Sequence, residues 1–271
     1  MKIGYFADGP WSHNAIDQIS KSDNFEIAFI VPRYDTQDPI LMNWSKKLNV
    51  DFLPIKDLNT EDSISLLSSY NADIFVSMSF NQIIKTPLLK IAKYGFINCH
   101  AGKLPFYRGC NVLNWVLING EEEFGVTVHY MDEGIDTGDI ILQETYEITD
   151  EDDYSTLLSR AAINCAHLLF KALVEISMSK AKRRKQSSID KIGSYCRRRV
   201  VGDEFINWNQ TSRQIFNFVR AITKPGPYAQ SRINNKIIYI QRISICQNIN
   251  QDLQNPGTIL IQNSNFLVAT N

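Results

Sequence analysis

The sequence predicts an α/β protein, with an open, mainly parallel sheet flanked by helices and a smaller α+β or barrel-like carboxyl-terminal domain. Short apolar runs alternate with helix-like segments through the first part of the chain, and a strongly polar loop follows one of these runs. A basic run, Lys180-Ala181-Lys182-Arg183-Arg184-Lys185, then precedes a region of short strands. We therefore expect a larger α/β domain over residues 1–183 and a smaller domain over residues 184–271.

The individual elements of the first domain follow from apolar runs and helix-start signals. Strands are predicted at Lys2–Phe6, Phe25–Val31, Val50–Ile55, Asp73–Met78, Phe96–Asn98, Gly125–Tyr130 and Ile140–Ile148. Helices are predicted after Trp11, from Asn59, over Val112–Ile118, and from Thr149 to about Lys180. Strands that alternate with helices at this spacing indicate a parallel sheet covered by helices.

The second domain shows one helix followed by short strands. The helix is predicted over Ser212–Ile222, and the strands over Lys236–Ser244, Gly257–Ile261 and Phe266–Val268. The basic run before this domain lacks interleaved aromatic residues, so a solvated helix end is the better interpretation than a nucleic-acid site.

Composition excludes several classes of protein. The 28 Lys and Arg residues nearly balance the 29 Asp and Glu residues, so no basic field favours a nucleic-acid partner. No apolar stretch is as long as the roughly 18 residues that a membrane span needs, and no signal peptide is evident. The five cysteines are scattered and form no C-x-x-C pair. We therefore expect a cytoplasmic protein with reduced thiols, no metal and no membrane span.

The most informative stretch is the polar one that follows the run Phe96-Ile97. Asn98 and His100 occupy alternate positions there, so in a strand both side chains would lie on the same face. Lys103, Arg108 and a helix predicted from about residue 111 follow. A strand, a polar loop and a helix in this order place polar groups at the carboxyl edge of an open α/β sheet.

The motifs that are absent narrow the chemistry further. No G-x-G-x-x-G follows the first strand, and there is no P-loop, no G-x-S-x-G and no histidine pair at metal-ligand spacing. What remains is Asn98, His100 and an Asp-rich loop that carries Asp136. An amide can stabilise an oxyanion, an imidazole can move protons, and a carboxylate can orient the imidazole, so together they can perform acyl transfer to an amine.

Three motifs extend this pattern and carry a family resemblance. They are Asn98-x-His100 with Leu104-Pro105-x-Tyr107-Arg108-Gly109, then Asp132-x-Gly134-Ile135-Asp136-Thr137-Gly138-Asp139, and then Tyr195-x-Arg197-Arg198-Arg199 with Ile206-x-Trp208. With these motifs the chain resembles the folate-dependent formyltransferase family. The resemblance covers nearly the whole chain and weakens in the last forty or so residues.

The resemblance implies that residues 1–183 form a formyltransferase-type, Rossmann-like catalytic domain, and it implies a reaction and a set of site residues. An amine would attack the formyl carbon of 10-formyltetrahydrofolate, with no metal, and Asn98, His100 and Asp136 match the catalytic triad of the family. The folate would be held largely by main-chain groups of two loops. In this sequence the residues that match these loops are Met78, Ser79, Phe80, Ile83, Asp132, Glu133, Gly134 and Ile135.

The acceptor is suggested by a departure from the common family pattern. Many members have Pro-Ser-Leu after the histidine, whereas this chain has Ala101-Gly102-Lys103. This variant, like the amino-terminal Gly4-Tyr5-Phe6-Ala7-Asp8-Gly9-Pro10-Trp11, resembles the sugar-nucleotide branch, most closely the enzymes that formylate a dTDP-linked 3-amino-3,6-dideoxyhexose for surface polysaccharide synthesis. Residues with side chains suited to such a nucleotide are Trp11, His13, Arg33, Lys103, Arg108 and Tyr228. Relatives also imply a homodimer.

Several alternatives remain open at this point. The same chemistry could serve a dTDP-4-amino-4,6-dideoxyhexose, a methionyl-tRNA or a purine-pathway ribonucleotide. The near-zero charge and the short second domain argue against tRNA. A deformylase of this family would carry an additional amino-terminal domain, whereas this sequence begins at its first predicted strand. A non-catalytic module that binds a sugar nucleotide is the alternative from another class.

Overall fold

The computed structural model of the protein describes residues 1–246, 255–262 and 265–271. Its strands are β1 (Lys2–Ala7), β2 (Glu26–Pro32), β3 (Asp51–Phe52), β4 (Ile74–Met78), β5 (Phe96–His100), β6 (Arg108–Gly109), β7 (Glu123–Tyr130), β8 (Ile140–Glu147), β9 (Tyr195–Cys196), β10 (Ala229–Ile233), β11 (Lys236–Ile240), β12 (Ile259–Gln262) and β13 (Asn265–Val268). Its helices are α1 (Gly9–Ser20), α2 (Pro39–Leu48), α3 (Glu61–Ser69), α4 (Thr86–Leu89), α5 (Val112–Ile118), α6 (Tyr154–Ser177) and α7 (Ser212–Ala221).

The central element is a seven-stranded sheet in the order β3-β2-β1-β4-β5-β7-β8. The strands from β3 to β5 pair in parallel, and β7 pairs antiparallel with β5. This confirms the predicted α/β class with a mainly parallel sheet. Because the carboxyl ends of β1, β4 and β5 meet at the same edge, the loops that follow them lie together there.

Four phenylalanines build the core on one face of this sheet. Phe6, Phe29, Phe75 and Phe96 come from β1, β2, β4 and β5 and are almost completely buried. The ring centroids of Phe6 and Phe75 are 5.3 Å apart, and those of Phe75 and Phe96 are 5.4 Å apart, both in edge-to-face geometry. Such pairs stabilise a core beyond the area they bury, so the strands that lead to the carboxyl edge are firmly packed.

Several element boundaries differ from the sequence predictions. Only Asp51–Phe52 of the strand predicted at Val50–Ile55 pairs with the sheet. The helix predicted from Thr149 begins at Tyr154, because the side chain of Asp153 accepts a hydrogen bond from the amide of Thr156 and so caps the helix there. The strand predicted to reach Ser244 ends at Ile240, and the strand β10 that pairs with it was not predicted.

Grouped by their contacts, the residues form two compact units, and each unit is made of three separate segments of the sequence. The first comprises residues 1–109, 124–146 and 159–195, and the second comprises residues 110–123, 147–158 and 196–271. The second unit contains α5, α7 and the antiparallel pairs β10–β11 and β12–β13. This confirms a smaller domain of mixed helix and strand, whose strands pair antiparallel, while a boundary near residue 183 stays a prediction.

Among the described residues, α6 alone is long and apolar enough, by length and composition, to span a membrane. No such stretch was expected from the sequence. Half of the most apolar 18 residues of this helix are buried inside the protein, and Cys165, Leu169 and Leu173 are completely buried. A core helix passes the same test of length and composition, so this feature is weak evidence for a membrane span.

Candidate active site

The register between β5 and β7 brings three polar side chains to one face of the sheet. Asn98 lies opposite His129, and His100 lies opposite Thr127. Directly paired residues of antiparallel strands point to the same face, so Asn98, His100 and His129 are neighbours. The Nδ2 atom of Asn98 is 3.3 Å from Nε2 of His129.

Asp136 approaches this group from the loop between β7 and β8. Its Oδ1 atom is 3.5 Å from Nδ2 of Asn98 and 3.5 Å from Nε2 of His129. Its Oδ2 atom is 3.5 Å from Nδ1 of His100 and accepts a hydrogen bond from the amide of Gly109 at 2.9 Å. The three residues predicted as a triad therefore lie together, with His129 as a fourth member.

The environment of Asp136 keeps its carboxyl group ionised. Burial alone would raise the pKa of Asp136, but His100, His129 and the amide of Gly109 together outweigh it. The resulting pKa lies well below the usual range of an aspartate. The site thus contains a buried carboxylate between two imidazoles.

A carbonyl group determines where His100 carries a proton. The Nε2 atom of His100 is 2.6 Å from the carbonyl oxygen of Tyr107, which can only accept, so Nε2–H donates. A side chain at Gly102 would put its Cβ atom 2.5 Å from this same oxygen and 2.6 Å from Nε2. Glycine at position 102 therefore permits this contact, so the central residue of Ala101-Gly102-Lys103 has a steric reason.

His129 is the member of the site that sequence reasoning missed. Its side chain is only 2% exposed, and its Nδ1 atom donates to the carbonyl oxygen of Tyr130 at 2.8 Å. In the neutral ring this leaves Nε2 as an acceptor for the amide of Asn98, whereas in the charged ring Nε2–H faces Oδ1 of Asp136 at 3.5 Å and favours the ionised carboxyl. The available signal was the alternation of Thr127 and His129 in a predicted strand, but the pattern alone does not show which strand pairs with it.

The first predicted folate loop divides into buried and exposed residues. Met78 is 1% exposed at the end of β4, and Phe80 packs on the core with its ring centroid 5.9 Å from that of Phe6. Ser79 and Ile83 are exposed, the latter to 68%. Packing is thus the observed role of the first two side chains, whereas the last two remain available to a ligand.

The second predicted folate loop is exposed, and one hydrogen bond joins it to the start of α4, which follows the first predicted loop in the sequence. Asp132, Glu133, Gly134 and Ile135 are all exposed, and Glu133 accepts a hydrogen bond from the hydroxyl of Thr86 at the start of α4. The two loops predicted for folate therefore lie close together.

A cavity of about 870 Å³ is lined in part by Ile83. Two amide side chains bridge its walls: Gln82 donates to the carbonyl of Ile55 at 3.0 Å, and Asn59 donates to the carbonyl of Ile83 at 3.0 Å. Its charged lining residues are Lys56, Lys85 and Asp57. The cavity thus offers apolar surface and two lysines, one of them next to an aspartate in the sequence, beside the first predicted folate loop.

The residues predicted for the nucleotide have varied surroundings in the first unit. The Nε2 atom of His13 lies 2.7 Å from Oδ2 of the buried Asp38, within hydrogen-bond distance. Arg33 is held by Asp35, with its Nη2 atom 2.9 Å from Oδ2, and its Nη1 atom is 3.6 Å from Asp8. Two carboxylates therefore already offset the charge of Arg33. Trp11 is partly buried in α1.

Arg108 and Tyr228 are also engaged within the protein. Arg108 is 8% exposed and donates to Gln186, which favours a structural role over the predicted substrate contact. Tyr228 belongs to the second unit, where the Nζ atom of Lys224 lies 5.2 Å from the centre of its ring. Lys103 is exposed. The nucleotide-binding roles stay predictions.

Comparison with known proteins identifies the family. The formyl transferase model matches residues 1–173, and the model of the formyl transferase carboxyl-terminal domain matches residues 201–271. The chain belongs to the formyltransferase family. This formyltransferase is 35% identical over 238 residues to the methionyl-tRNA formyltransferase of Pelotomaculum thermopropionicum, a match that covers 88% of this chain and 74% of the relative.

Two solved structures share the fold of this formyltransferase from end to end. One is WlaRD, a sugar 3N-formyl transferase with dTDP and 5-N-formyl-THF, at a TM-score of 0.73 and 24% identity, covering 100% of this chain and 94% of that one. The other is an N-formyltransferase from Helicobacter canadensis with folinic acid and dTDP-3-aminofucose, at a TM-score of 0.73 and 22% identity, covering 100% and 96%. At these identities the similarity establishes the fold.

Proposed function

We propose that this formyltransferase moves a formyl group from 10-formyltetrahydrofolate to the amino group of a dTDP-linked 3-amino-3,6-dideoxyhexose. The observation that carries the proposal is the grouping of Asn98, His100 and Asp136 at the carboxyl edge of the sheet. An amide, an imidazole and an ionised carboxylate supply the parts that acyl transfer to an amine requires.

Each side chain has a defined task in this proposal. The amine nitrogen forms a bond to the formyl carbon and gives up a proton, while the bond from that carbon to N10 of the folate breaks and N10 gains a proton. Asn98 donates its Nδ2–H to the formyl oxygen as negative charge develops there. His100 already donates from Nε2, so this N–H can take the formyl oxygen in place of the Tyr107 carbonyl as its hydrogen-bond acceptor without losing its proton. When Nδ1 also carries a proton the ring is a cation, and Asp136, whose Oδ2 atom lies 3.5 Å from Nδ1, stabilises that charge.

In this proposal the folate donor binds a surface of the first unit. Ile83 and Ile135 are more than half exposed on the two loops predicted to bind it, and both present apolar surface. The cavity beside Ile83 adds Lys56 and Lys85, whose charges suit the carboxylates at the glutamate end of a folate.

The acceptor is proposed from three supporting observations. Two of the solved structures that match the fold over the whole chain contain dTDP or a dTDP-aminosugar. The net charge of −1 gives no field that would attract tRNA. Lys103 is exposed close to the catalytic strand and can meet a phosphate. We extend the proposal to a cytoplasmic homodimer that serves surface polysaccharide synthesis, with a dTDP-4-amino-4,6-dideoxyhexose as the alternative sugar.

A second candidate is formylation of methionyl-tRNA. The observation in its favour is the 35% identity over 238 residues to a methionyl-tRNA formyltransferase. The same triad would serve both reactions, so the triad does not distinguish them. What distinguishes them is the surface that the acceptor contacts.

A single-turnover assay with a panel of acceptors tests the proposal. The panel contains dTDP-3-amino and dTDP-4-amino dideoxyhexoses, a UDP-aminosugar, glycinamide ribonucleotide and charged initiator tRNA, and free tetrahydrofolate is the readout. We expect rapid release with a dTDP-aminosugar alone. Release with tRNA or the ribonucleotide would overturn the acceptor and leave the triad in place. No release with any acceptor, in folded protein, would favour a non-catalytic binding module.

A further inference from the structure

Gln186 is a buried amide that the catalytic chemistry does not use. It lies in a short 3-10 turn at Gln186–Ser188 and is 3% exposed. Its Nε2 atom donates to the carbonyl oxygens of Asp136 at 2.7 Å and of Gly138 at 2.8 Å. Its Oε1 atom accepts from Nε of Arg108 at 3.0 Å and from Nη2 of Arg108 at 2.7 Å. All four hydrogen-bonding positions of this amide are therefore satisfied.

The backbone that Gln186 contacts is in an unfavourable conformation. Asp136 has φ of +55°, in the left-handed region, where a residue with a Cβ atom costs roughly 1–2 kcal/mol. Two residues later, a Cβ atom on Gly138 would lie 1.8 Å from the carbonyl oxygen of Tyr130. Such a loop keeps its shape only where surrounding contacts hold it, and the two donations from Gln186 are contacts of this kind.

Arg108 fixes the other side of the Gln186 amide. Besides its bonds to Gln186, its Nη1 atom donates to the carbonyl of Ile192 at 3.2 Å and to the hydroxyl of Tyr195 at 3.4 Å. Its guanidinium carbon also lies 5.2 Å from the centre of the Tyr195 ring. An amide held by a buried guanidinium cannot turn over without losing bonds at both of its ends, so its N–H groups stay directed at the Asp136 loop.

We propose that Gln186, anchored by Arg108, is a positioning residue that holds the backbone of Asp136 so that its carboxylate meets His100, His129 and the amide of Gly109. The inference rests on the proposed role of Asp136 in formyl transfer. A displacement of about 1 Å of a catalytic group can lower the rate about 10²-fold. Loss of the two hydrogen bonds from Gln186 to this loop should therefore lower kcat.

Two substitutions separate positioning from simple structural support. Gln186→Met removes all four hydrogen bonds at similar volume. Gln186→Glu keeps an acceptor for Arg108, whose charge keeps the new carboxyl ionised, but it loses both donations to the Asp136 loop. Asn114→Leu is the control: this amide is 2% exposed and donates to the carbonyl of Ala221 at 2.7 Å in the second unit. It removes one buried hydrogen bond of the same kind, from a side-chain amide to a backbone carbonyl, and does not touch Asp136.

The first readout needs no acceptor. Protein labelled with 15N-glycine contains 13 glycine positions, and the amide of Gly109 reports its bond to Asp136 directly. Its resonance is assigned by its loss in Gly109→Ala, and the signal of a broken bond is taken from Asp136→Ala. We expect the Gly109 resonance to move towards the Asp136→Ala position in both Gln186 variants and to stay in place in Asn114→Leu.

The second readout is the kinetics of formyl transfer. We expect kcat to fall by about 10²-fold in Gln186→Met and Gln186→Glu, with KM for donor and acceptor nearly unchanged. A Gln186→Glu protein with an unmoved Gly109 resonance and wild-type kcat would overturn the proposal, because Gln186 would then only anchor Arg108. A moved resonance with unchanged kcat would support the positioning of Asp136 and contradict its catalytic role instead.

Discussion

The imidazole of His100 donates from Nε2 to the carbonyl oxygen of Tyr107 across 2.6 Å. This contact assigns a proton to Nε2 and turns Nδ1 towards Asp136, 3.5 Å away. The ring is therefore held between a fixed acceptor and a buried carboxylate. In the proposed reaction the formyl oxygen takes the place of the Tyr107 carbonyl as the acceptor of this N–H group.

Gly102→Ala tests whether this contact matters for catalysis. The added Cβ atom would lie 2.6 Å from Nε2 of His100, so the ring must move, and overpacking of this kind costs about 1–3 kcal/mol. We expect a clear fall in kcat. Gly95→Ala is the control, since its φ of +81° brings backbone strain of about 1–2 kcal/mol while its nearest contact is 3.9 Å away. Equal kcat values for the two variants would contradict the role of the His100 contact.

Asn98→Ala should fold normally and lose most of its turnover. Removal of one donor to a developing oxyanion typically costs about 10²–10³-fold in rate. The measurement is kcat under saturating donor and acceptor, with circular dichroism to confirm the fold. A variant with near-wild-type kcat would exclude Asn98 as the oxyanion donor.

His129→Phe should impair the site although no sequence pattern pointed to this residue. The ring of Phe fills the buried position but leaves the amide of Asn98 without its acceptor at 3.3 Å. We expect kcat to fall by roughly 10–10²-fold through misplacement of Asn98. His129→Gln offers an amide oxygen as acceptor and should recover part of this loss. If Gln gives no recovery over Phe, the contact with Asn98 is not the reason for the effect.

Asp136→Asn should change how stability depends on pH. The pKa of Asp136 in the folded protein lies below its unfolded value of about 3.9, so its ionised form stabilises the protein fully above that value. This contribution is lost as the pH falls towards the folded pKa. Urea unfolding at pH 7 and at pH 3.5 should show a larger free-energy difference between wild type and variant at pH 7. A difference that grows on acidification would contradict the sign of the shift.

Lys103→Ala tests the proposed phosphate contact. Loss of a cation that binds substrate and transition state equally should raise KM for the sugar nucleotide more than it lowers kcat. KM for the folate donor should stay the same, which makes the donor the internal control. An effect on kcat alone would place Lys103 in the chemistry and not in acceptor binding.

Much of the fold could be predicted because its signals are local. The apolar runs that became β1, β2, β4 and β5 are short, buried and separated by helices, and this pattern is typical of a parallel sheet. The strand predicted at Val50–Ile55 is the two-residue edge strand β3 in the structure, because hydrophobic periodicity does not show how far an edge strand pairs. Each of the two compact units is assembled from separate segments of the sequence, and this depends on long-range contacts that no local pattern encodes.

Only those residues of the candidate site that belong to sequence motifs could be predicted. Asn98 and His100 alternate on one strand, and Asp136 lies in a loop with a distinctive Gly and Asp pattern. His129 joins them through the antiparallel register of β5 and β7, and Gln186 joins them from a turn with no pattern of its own. These two residues follow from tertiary pairing, which is why sequence reasoning missed them.

A competition experiment tests the proposed function most directly. The protein is given 10-formyltetrahydrofolate labelled with 14C in the formyl group, together with equal concentrations of a dTDP-3-amino-3,6-dideoxyhexose and charged initiator methionyl-tRNA. We expect the label in the sugar nucleotide, and no transfer by Asp136→Asn above a small residual rate. Label in the methionyl-tRNA would contradict the proposed acceptor, and full transfer by Asp136→Asn would contradict the triad.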